Sequence, residues 1–212
     1  RGLREGRGER LMLDTDLIRG DFPILQRRAG EWPLVYLDSA NTSQKPRQVI
    51  DEIAGHYLRH NANVARAMHL LGAEATEAFE GARAKVAGFV GAARTEEIVF
   101  TKNASEALNL AAHTLGSRLR PGDEVVISVM EHHSNIVPWQ LACERSGATL
   151  RWFDVTDEGR LDLEAADRDA LINERTKVVS LTWVSNVLGT RTPTAHLAGL
   201  APAAAAVTGV DA

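Results

Sequence analysis

Apolar residues recur along this chain with two periods, and the two alternate. Short apolar runs suited to strands occur at Leu34–Asp38, Glu97–Phe100, Val125–Ile127, Leu150–Val155 and Lys177–Val184. Between them, apolar positions fall at helical spacing. Val49, Ile50, Ile53 and Tyr57 line one face after Pro46, and Ala75, Ala78, Phe79, Ala82, Val86, Phe89 and Val90 trace a second stripe. Further helices are predicted over Ser105–Leu115, from about Asn135 to a C-cap at Gly147, and around Ala195–Ala206, before a last strand-like run at Val207–Asp211. Pro121-Gly122-Asp123 and Asp157-Glu158-Gly159 supply turns. Strands alternating with helices predict an α/β fold with a mostly parallel, doubly wound sheet, whose ligands sit at the C-terminal ends of the strands.

Composition narrows the partners. The 212 residues are 44% hydrophobic and 25% charged, with a formal net charge of −4. That charge favours neither nucleic acid nor an anionic membrane, and no apolar run is long enough to span a bilayer. One cysteine, Cys143, excludes an internal disulfide and a cysteine-rich metal site, which fits a cytoplasmic protein. Residues 1–10 set Arg1, Arg4, Arg7 and Arg10 among glycines without an apolar core. They read as a disordered arm or an early translation start, with a transit peptide as the alternative, and not as a secretory signal.

The most informative stretch is Met130-Glu131-His132-His133-Ser134-Asn135-Ile136-Val137-Pro138-Trp139-Gln140. It delivers an acid, two histidines and an amide from a strand end to a helix start. Imidazole there can stack on a ring, ligate a metal or move protons; further ligands at tetrahedral spacing are missing, so no metal site is expected. Thr101-Lys102-Asn103-Ala104-Ser105-Glu106 also joins a strand to a helix. Its free N–H groups suit a phosphate, or Ser105 simply caps the helix. In Ser185-Asn186-Val187-Leu188-Gly189-Thr190, Asn186 either binds a ligand hydroxyl or helps to build a turn. Cys143 lies mid-helix with no cation placed to activate it, and reads as an inert core thiol.

Taken together, these segments resemble the SUF-type cysteine desulfurases, pyridoxal-phosphate-dependent enzymes of the class V aminotransferase family. Tyr36-Leu37-Asp38-Ser39-Ala40, Ser43-Gln44-Lys45-Pro46, Asn61-Ala62-Asn63-Val64 and Glu74-Ala75-Thr76 carry the resemblance with the three motifs above, in order, over about residues 15 to 211. It implies a type I PLP-dependent transferase fold, incomplete here. The expected organisation is a disordered arm at 1–14, an N-terminal segment at 15–34 and a truncated PLP-binding large domain at 35–212. It also implies roles: Ala104 and Ser105 for the cofactor phosphate, His132 stacked on the pyridine ring, Asn186 near the ring 3-hydroxyl, and Asp211 on the pyridinium nitrogen. Ala40, Asn41 and His69 fall on the substrate side, His69 close to the family's dimer interface.

The chain also departs from the family. Val64-Ala65-Arg66-Ala67 replaces a usual Val-His-Arg-Gly, Asn41 replaces an alanine, and Ala212 a glycine. The Schiff-base lysine, the nucleophilic cysteine and the arginine for the substrate carboxylate are expected beyond the chain end, since Lys45, Lys85, Lys102 and Lys177 lie outside the lysine motif. The resemblance implies conversion of L-cysteine to L-alanine with sulfur carried as an enzyme persulfide to an acceptor protein of iron–sulfur cluster assembly, in a homodimer. The alternatives are selenocysteine lyase, another class V lyase, or a non-catalytic fragment.

Overall fold

A computed structural model describes residues 13–66, 68–200 and 206–211. They form two compact units that meet in the sequence between Ile98 and Val99.

The first unit is mainly helical. Helix α1 (Thr15–Gly20) is capped by Asp14, whose carboxylate accepts from the Leu17 N–H. A two-residue hairpin pairs β1 (Arg28–Ala29) with β2 (Trp32–Pro33) around Gly30, which takes the positive φ that the turn requires. The strand expected at Leu34–Asp38 does not form: these residues are coil. The Tyr36 hydroxyl instead donates to the carbonyls of Asp38 and Thr42, so the segment is held by a side chain and not by a neighbouring strand. The two long helices follow the predicted stripes. These are α2 (Arg47–Arg59), starting after Pro46, and α3 (Leu70–Val90), closed by Gly91 in the left-handed conformation. The strand expected at Glu97–Phe100 is likewise a 3₁₀ turn over Thr95–Glu97 and then coil. The Ile98 carbonyl takes its hydrogen bond from the Arg83 guanidinium. An apolar run becomes a strand only where a second strand meets its backbone groups.

The second unit is the doubly wound part. Four strands, β3 (Glu124–Ser128), β4 (Thr149–Phe153), β5 (Thr176–Thr182) and β6 (Val207–Asp211), lie parallel in the order β4-β3-β5-β6. The run at Val207–Asp211 is therefore a paired strand, in continuous register with β5 from Val178↔Val207 to Thr182↔Asp211. Helix α4 (Ala104–Gly116) precedes the sheet, and α5 (Val137–Ser146), α6 (Leu163–Arg168) and α7 (Thr194–Leu200) make the crossovers. The helix expected over Ala195–Ala206 is described only to Leu200; residues 201–205 lie outside the described residues.

Alternation along the strands divides the core in two. Val125, Ile127 and Val178 pack with Ala112, Trp139, Ala142 and Cys143 from α4 and α5. Val126, Val179 and Leu181 pack on the other face with Phe153, Leu171 and Leu197. At the N-terminal end of β3, the buried Glu124 carboxylate meets Arg151, Asn173 and Arg175 at 2.7–3.1 Å. Burial alone would raise its pKa, but these three donors outweigh burial and hold it below the ordinary value.

Candidate functional site at the C-terminal ends of the strands

The connection from β3 goes to β4 on one side, and β5 lies on the other side of β3 and leads on to β6. The crossovers thus part between β3 and β5, where open α/β sheets bind ligands. Three of the predicted residues lie at this edge: His132 just after β3, Asn186 just after β5, and Asp211 at the end of β6.

The loop after β3 is built from buried polar groups. Ser128 closes the strand, and its hydroxyl lies 2.5 Å from Glu131 Oε1. Asn135 Nδ2 donates to Glu131 Oε2 at 2.7 Å, and Asn135 Oδ1 accepts from Trp139 Nε1 at 3.0 Å and from Ser180 Oγ at 2.7 Å. Because an indole N–H can only donate, Trp139 fixes which way the Asn135 amide points and aims its NH₂ at Glu131. Ser128, Asn135 and Ser180 are buried in this web, and Gly209 on β6 leaves room for Ser180. A Cβ at Gly209 would stand 3.2 Å from the Ser180 hydroxyl. The web ties β3, α5 and β5 together and determines where His132 emerges.

His132 caps the 3₁₀ turn His133–Asn135 and is exposed. Its Nδ1 accepts from the Ser134 N–H at 3.2 Å and lies 2.8 Å from the Ser134 hydroxyl, and no hydrogen bond to Nε2 is found among the described residues. His133 packs edge-on against it, with centroids 5.7 Å apart. Asp211 is half-buried, and no hydrogen bond to its carboxylate is found among the described residues. Burial pushes its pKa up, and the neighbouring His132 pulls it part of the way back.

Ser105 does not cap α4. Asn103 does, its side-chain oxygen accepting from the Glu106 N–H at 3.0 Å. Ala104 and Ser105 occupy the first two helical positions, whose N–H groups have no intrahelical acceptor, and both residues are exposed. Gly116, at the far end of α4, packs against Ala142, and His113 and Ser117 share a cleft with Arg145 and Ser146. The two helices therefore run in parallel, and α4 also packs on the His133–Asn135 turn. The N-termini of α4 and α5 thus share the end of the layer where His132 emerges.

Asn186 sits exposed at the tip of a turn. The turn is made by Ser185, whose buried hydroxyl accepts from the N–H groups of Val187 and Leu188, and by Gly189 at φ 68°. The turn expected of the segment is therefore present, held by Ser185 and Gly189, and Asn186 is exposed on it. The Cys143 thiol is buried in the core, with its pKa pushed up to about 11 by burial.

The residues expected on the substrate side belong to the first unit. Ala40 and Asn41 are exposed in a turn where the Asn41 N–H donates to the Asp38 carbonyl at 3.2 Å. His69 caps α3, its Nδ1 accepting from the Gly72 N–H. Ala65 and Arg66 both take positive φ, and the Ala65 N–H donates to Thr76 Oγ1 at 2.9 Å. Ala67 lies outside the described residues.

Sequence reasoning gave no role to Glu131, Asn135, Trp139, Ser128 or Ser180. A signal for them existed. Glu131, Asn135 and Trp139 follow one another at four-residue spacing, Ser128 ends the apolar run Val125–Ile127, and Ser180 stands between Val179 and Leu181.

The chain matches the family model described as Aminotransferase class-V over residues 35–212. It is 53% identical over 207 residues to a probable cysteine desulfurase of Streptomyces coelicolor, covering 95% of this chain and 49% of that protein. It is 50% identical to a cysteine desulfurase of Dickeya dadantii, over 92% of this chain and 47% of the relative. The chain thus spans about half the length of the curated relatives it matches. Among solved structures, the apo cysteine desulfurase of Thermococcus onnurineus superposes with a TM-score of 0.83 at 38% identity, over 93% of this chain and 47% of that one. A cysteine desulfurase of Escherichia coli gives 0.79 at 32%, over 94% and 49%. The parallel sheet flanked by helices is that of the type I fold of PLP-dependent enzymes. A family match across both units, relatives half identical over nearly all of the chain, and a sheet that opens where the family's motifs lie lead to one assignment: the chain belongs to the class-V aminotransferase family.

Proposed function

We propose that this chain is the cofactor-binding, N-terminal half of a SUF-type cysteine desulfurase, which converts L-cysteine to L-alanine and hands the sulfur to an acceptor protein of iron–sulfur cluster assembly. The observation that carries the reading is the half-buried Asp211 carboxylate, without a hydrogen-bond donor among the described residues, at the strand end beside His132. An anion in that position calls for a cationic donor, and a protonated ring nitrogen supplies one.

The donor set fits pyridoxal phosphate. The outward N–H groups of Ala104 and Ser105, with the Ser105 hydroxyl, suit a phosphate dianion at a helix N-terminus. The His132 imidazole offers a flat face and a free Nε2, and the Asn186 amide offers hydrogen bonds to a ring hydroxyl. Bound there, the cofactor supplies an electron sink for bonds at the substrate α-carbon. The chain's own contribution is to hold the phosphate, orient the ring and keep its nitrogen protonated through Asp211. Ala40, Asn41 and His69 serve the substrate side, and the full-length protein acts as a homodimer in the cytoplasm. That the relatives at 45–53% identity are named cysteine desulfurases favours cysteine over selenocysteine as substrate.

The test is an absorbance titration of the purified chain with pyridoxal phosphate. The expected result is weak, reversible binding that borohydride does not fix to Lys45, Lys85, Lys102 or Lys177, with no alanine formed from L-cysteine above the free-cofactor rate. A covalent adduct on one of these lysines, Lys102 being nearest in sequence to Ala104, would overturn the division of labour. An absence of any saturable binding would overturn the site.

A further inference from the structure

The buried web after β3 holds a second carboxylate close to Asp211. Glu131 is 8% exposed, and donors surround it: the Ser128 hydroxyl, the Asn135 amide and the backbone of Thr182. Thr182 is also the register partner of Asp211 on β6. Glu131 and Asp211 thus approach Thr182 from opposite sides, one to two strand spacings apart, ~5–10 Å. Resting on the cofactor reading above, we propose that Glu131 is a positioning residue that acts through Asp211, making the ends of β3 and β6 a two-carboxylate seat for a cationic ring nitrogen.

The charged groups around Glu131 are few. Its own loop carries His132 and His133, β6 carries Asp211, and the loop after β5 carries Arg191. Helices α4 and α5 carry Glu106, His113, Glu144 and Arg145, all at exposed positions. The charge that bears on Glu131 is that of Asp211. Burial raises the Glu131 pKa first, its three donors offset part of that, and Asp211 pushes it further up. Coulombic repulsion between two carboxylates is mutual, so ionising either one makes the other harder to ionise. With both ionised, the site holds a cation against two negative charges; with one of them protonated, it holds it against one.

Glu131→Gln tests this cleanly. The glutamine carbonyl still accepts from Asn135, and its NH₂ takes the place of the oxygen that accepts from Ser128, so that hydroxyl turns from donor to acceptor; the variant removes the charge and one acceptor and keeps the size of the side chain. The readout is carboxyl-carbon NMR titration of the ligand-free chain, paired with pyridoxal phosphate binding across pH. In Asp211→Asn, the Glu131 midpoint is expected to fall, because the neighbouring charge that raises it is gone. In Glu131→Gln, the affinity for pyridoxal phosphate falls several-fold, and the loss grows as pH rises through the Glu131 midpoint of the wild-type chain. Ser128→Ala breaks one hydrogen bond but keeps the charge, so the response of Glu131 to Asp211→Asn persists. A Glu131 midpoint that ignores Asp211→Asn overturns the inference, as does an equal loss of affinity in Ser128→Ala and Glu131→Gln. A Glu131 midpoint that responds to Asp211→Asn, without any binding of pyridoxal phosphate to the wild-type chain, overturns the cofactor reading, and with it the assignment of the seat to a ring nitrogen.

Discussion

Asp211 carries the most weight of any single residue. In the proposed site its ionised form would pair with a cationic ring nitrogen, and burial raises the pH at which that form appears, against the partial opposition of His132. Affinity for pyridoxal phosphate is therefore expected to fall as pH drops through a midpoint above the ordinary aspartate range. Asp211→Asn should lower the affinity by about tenfold to a hundredfold at neutral pH, the worth of one charge-assisted hydrogen bond, and flatten that pH dependence. Stability runs the other way. A carboxylate whose folded pKa is raised contributes below its unfolded pKa, and that contribution is lost as pH rises through the folded one. The variant should therefore melt no lower than the parent at neutral pH. Calorimetric titration and thermal melts across pH read the two quantities separately, and an Asp211→Asn chain that binds as well as the parent would remove the pairing. The proposed site residues Ser105, His132 and Asn186 stood out in the sequence because they are polar at the junctions of apolar runs, whereas Asp211 was singled out only by the resemblance to the family. The supporting web did not stand out, because which side chains meet across β3, α5 and β5 depends on register, and a single strand does not specify register.

Elements were legible where a helix has its own period or a strand lies between others. β3 and β5 lie inside the sheet and are buried along almost their whole length, which the sequence shows as the apolar runs Val125–Ile127 and Val178–Val179, whereas β4 is an edge strand, part-exposed and interrupted by Arg151. Leu34–Asp38 and Glu97–Phe100 have the same look but no partner strand among the described residues, and hydrogen bonding to a neighbour is what distinguishes a strand from an apolar coil. The cap of α4 was misread for a local reason: Asn103 and Ser105 both suit the position, and only the backbone geometry chooses Asn103. Helix packing offers a sharper test of the layer beneath the site. Gly116 lets α4 approach α5 so closely that a Cβ there would lie 2.8 Å from that of Ala142, which is 1% exposed. Alanine favours a helix over glycine by about 1 kcal/mol, but overpacking costs about 1–3 kcal/mol. Gly116→Ala should therefore destabilise the second unit by up to about 2 kcal/mol. Adding Ala142→Gly should recover most of the packing loss in a double-mutant cycle, and additive losses would show that the contact is not the cause.

At the scale of the whole chain, the two units differ in what they bury. The second contains both apolar clusters, with Trp139, Phe153, Ile127 and Leu181 at most 2% exposed. In the first, the buried residues are Gly55, Gly72, Ala75 and Ala87, all small, among those described. Ile53, Tyr57 and Phe89 lie on the predicted helical stripes, yet they are 56%, 68% and 91% exposed. The amphipathic pattern thus predicted α2 and α3 correctly but says nothing of what lies against their apolar sides. Fully burying a leucine- or phenylalanine-sized side chain contributes about 1.5–3 kcal/mol, and one further methylene about 0.8 kcal/mol. Alanines and glycines therefore give the first unit little to hold it, whereas the second has many such contributions. The expected outcome is two tiers of hydrogen exchange in the isolated chain. Amides of α2 and α3 should exchange through frequent local opening, while those of β3 and β5 exchange only on global unfolding. The exposed stripes should also promote self-association. Raising the protein concentration in sedimentation velocity runs should shift the chain to larger species, and protection of α2 and α3 should rise with it. Equal protection of the two units in a dilute monomer would show that the first unit draws its stability from something other than buried apolar side chains.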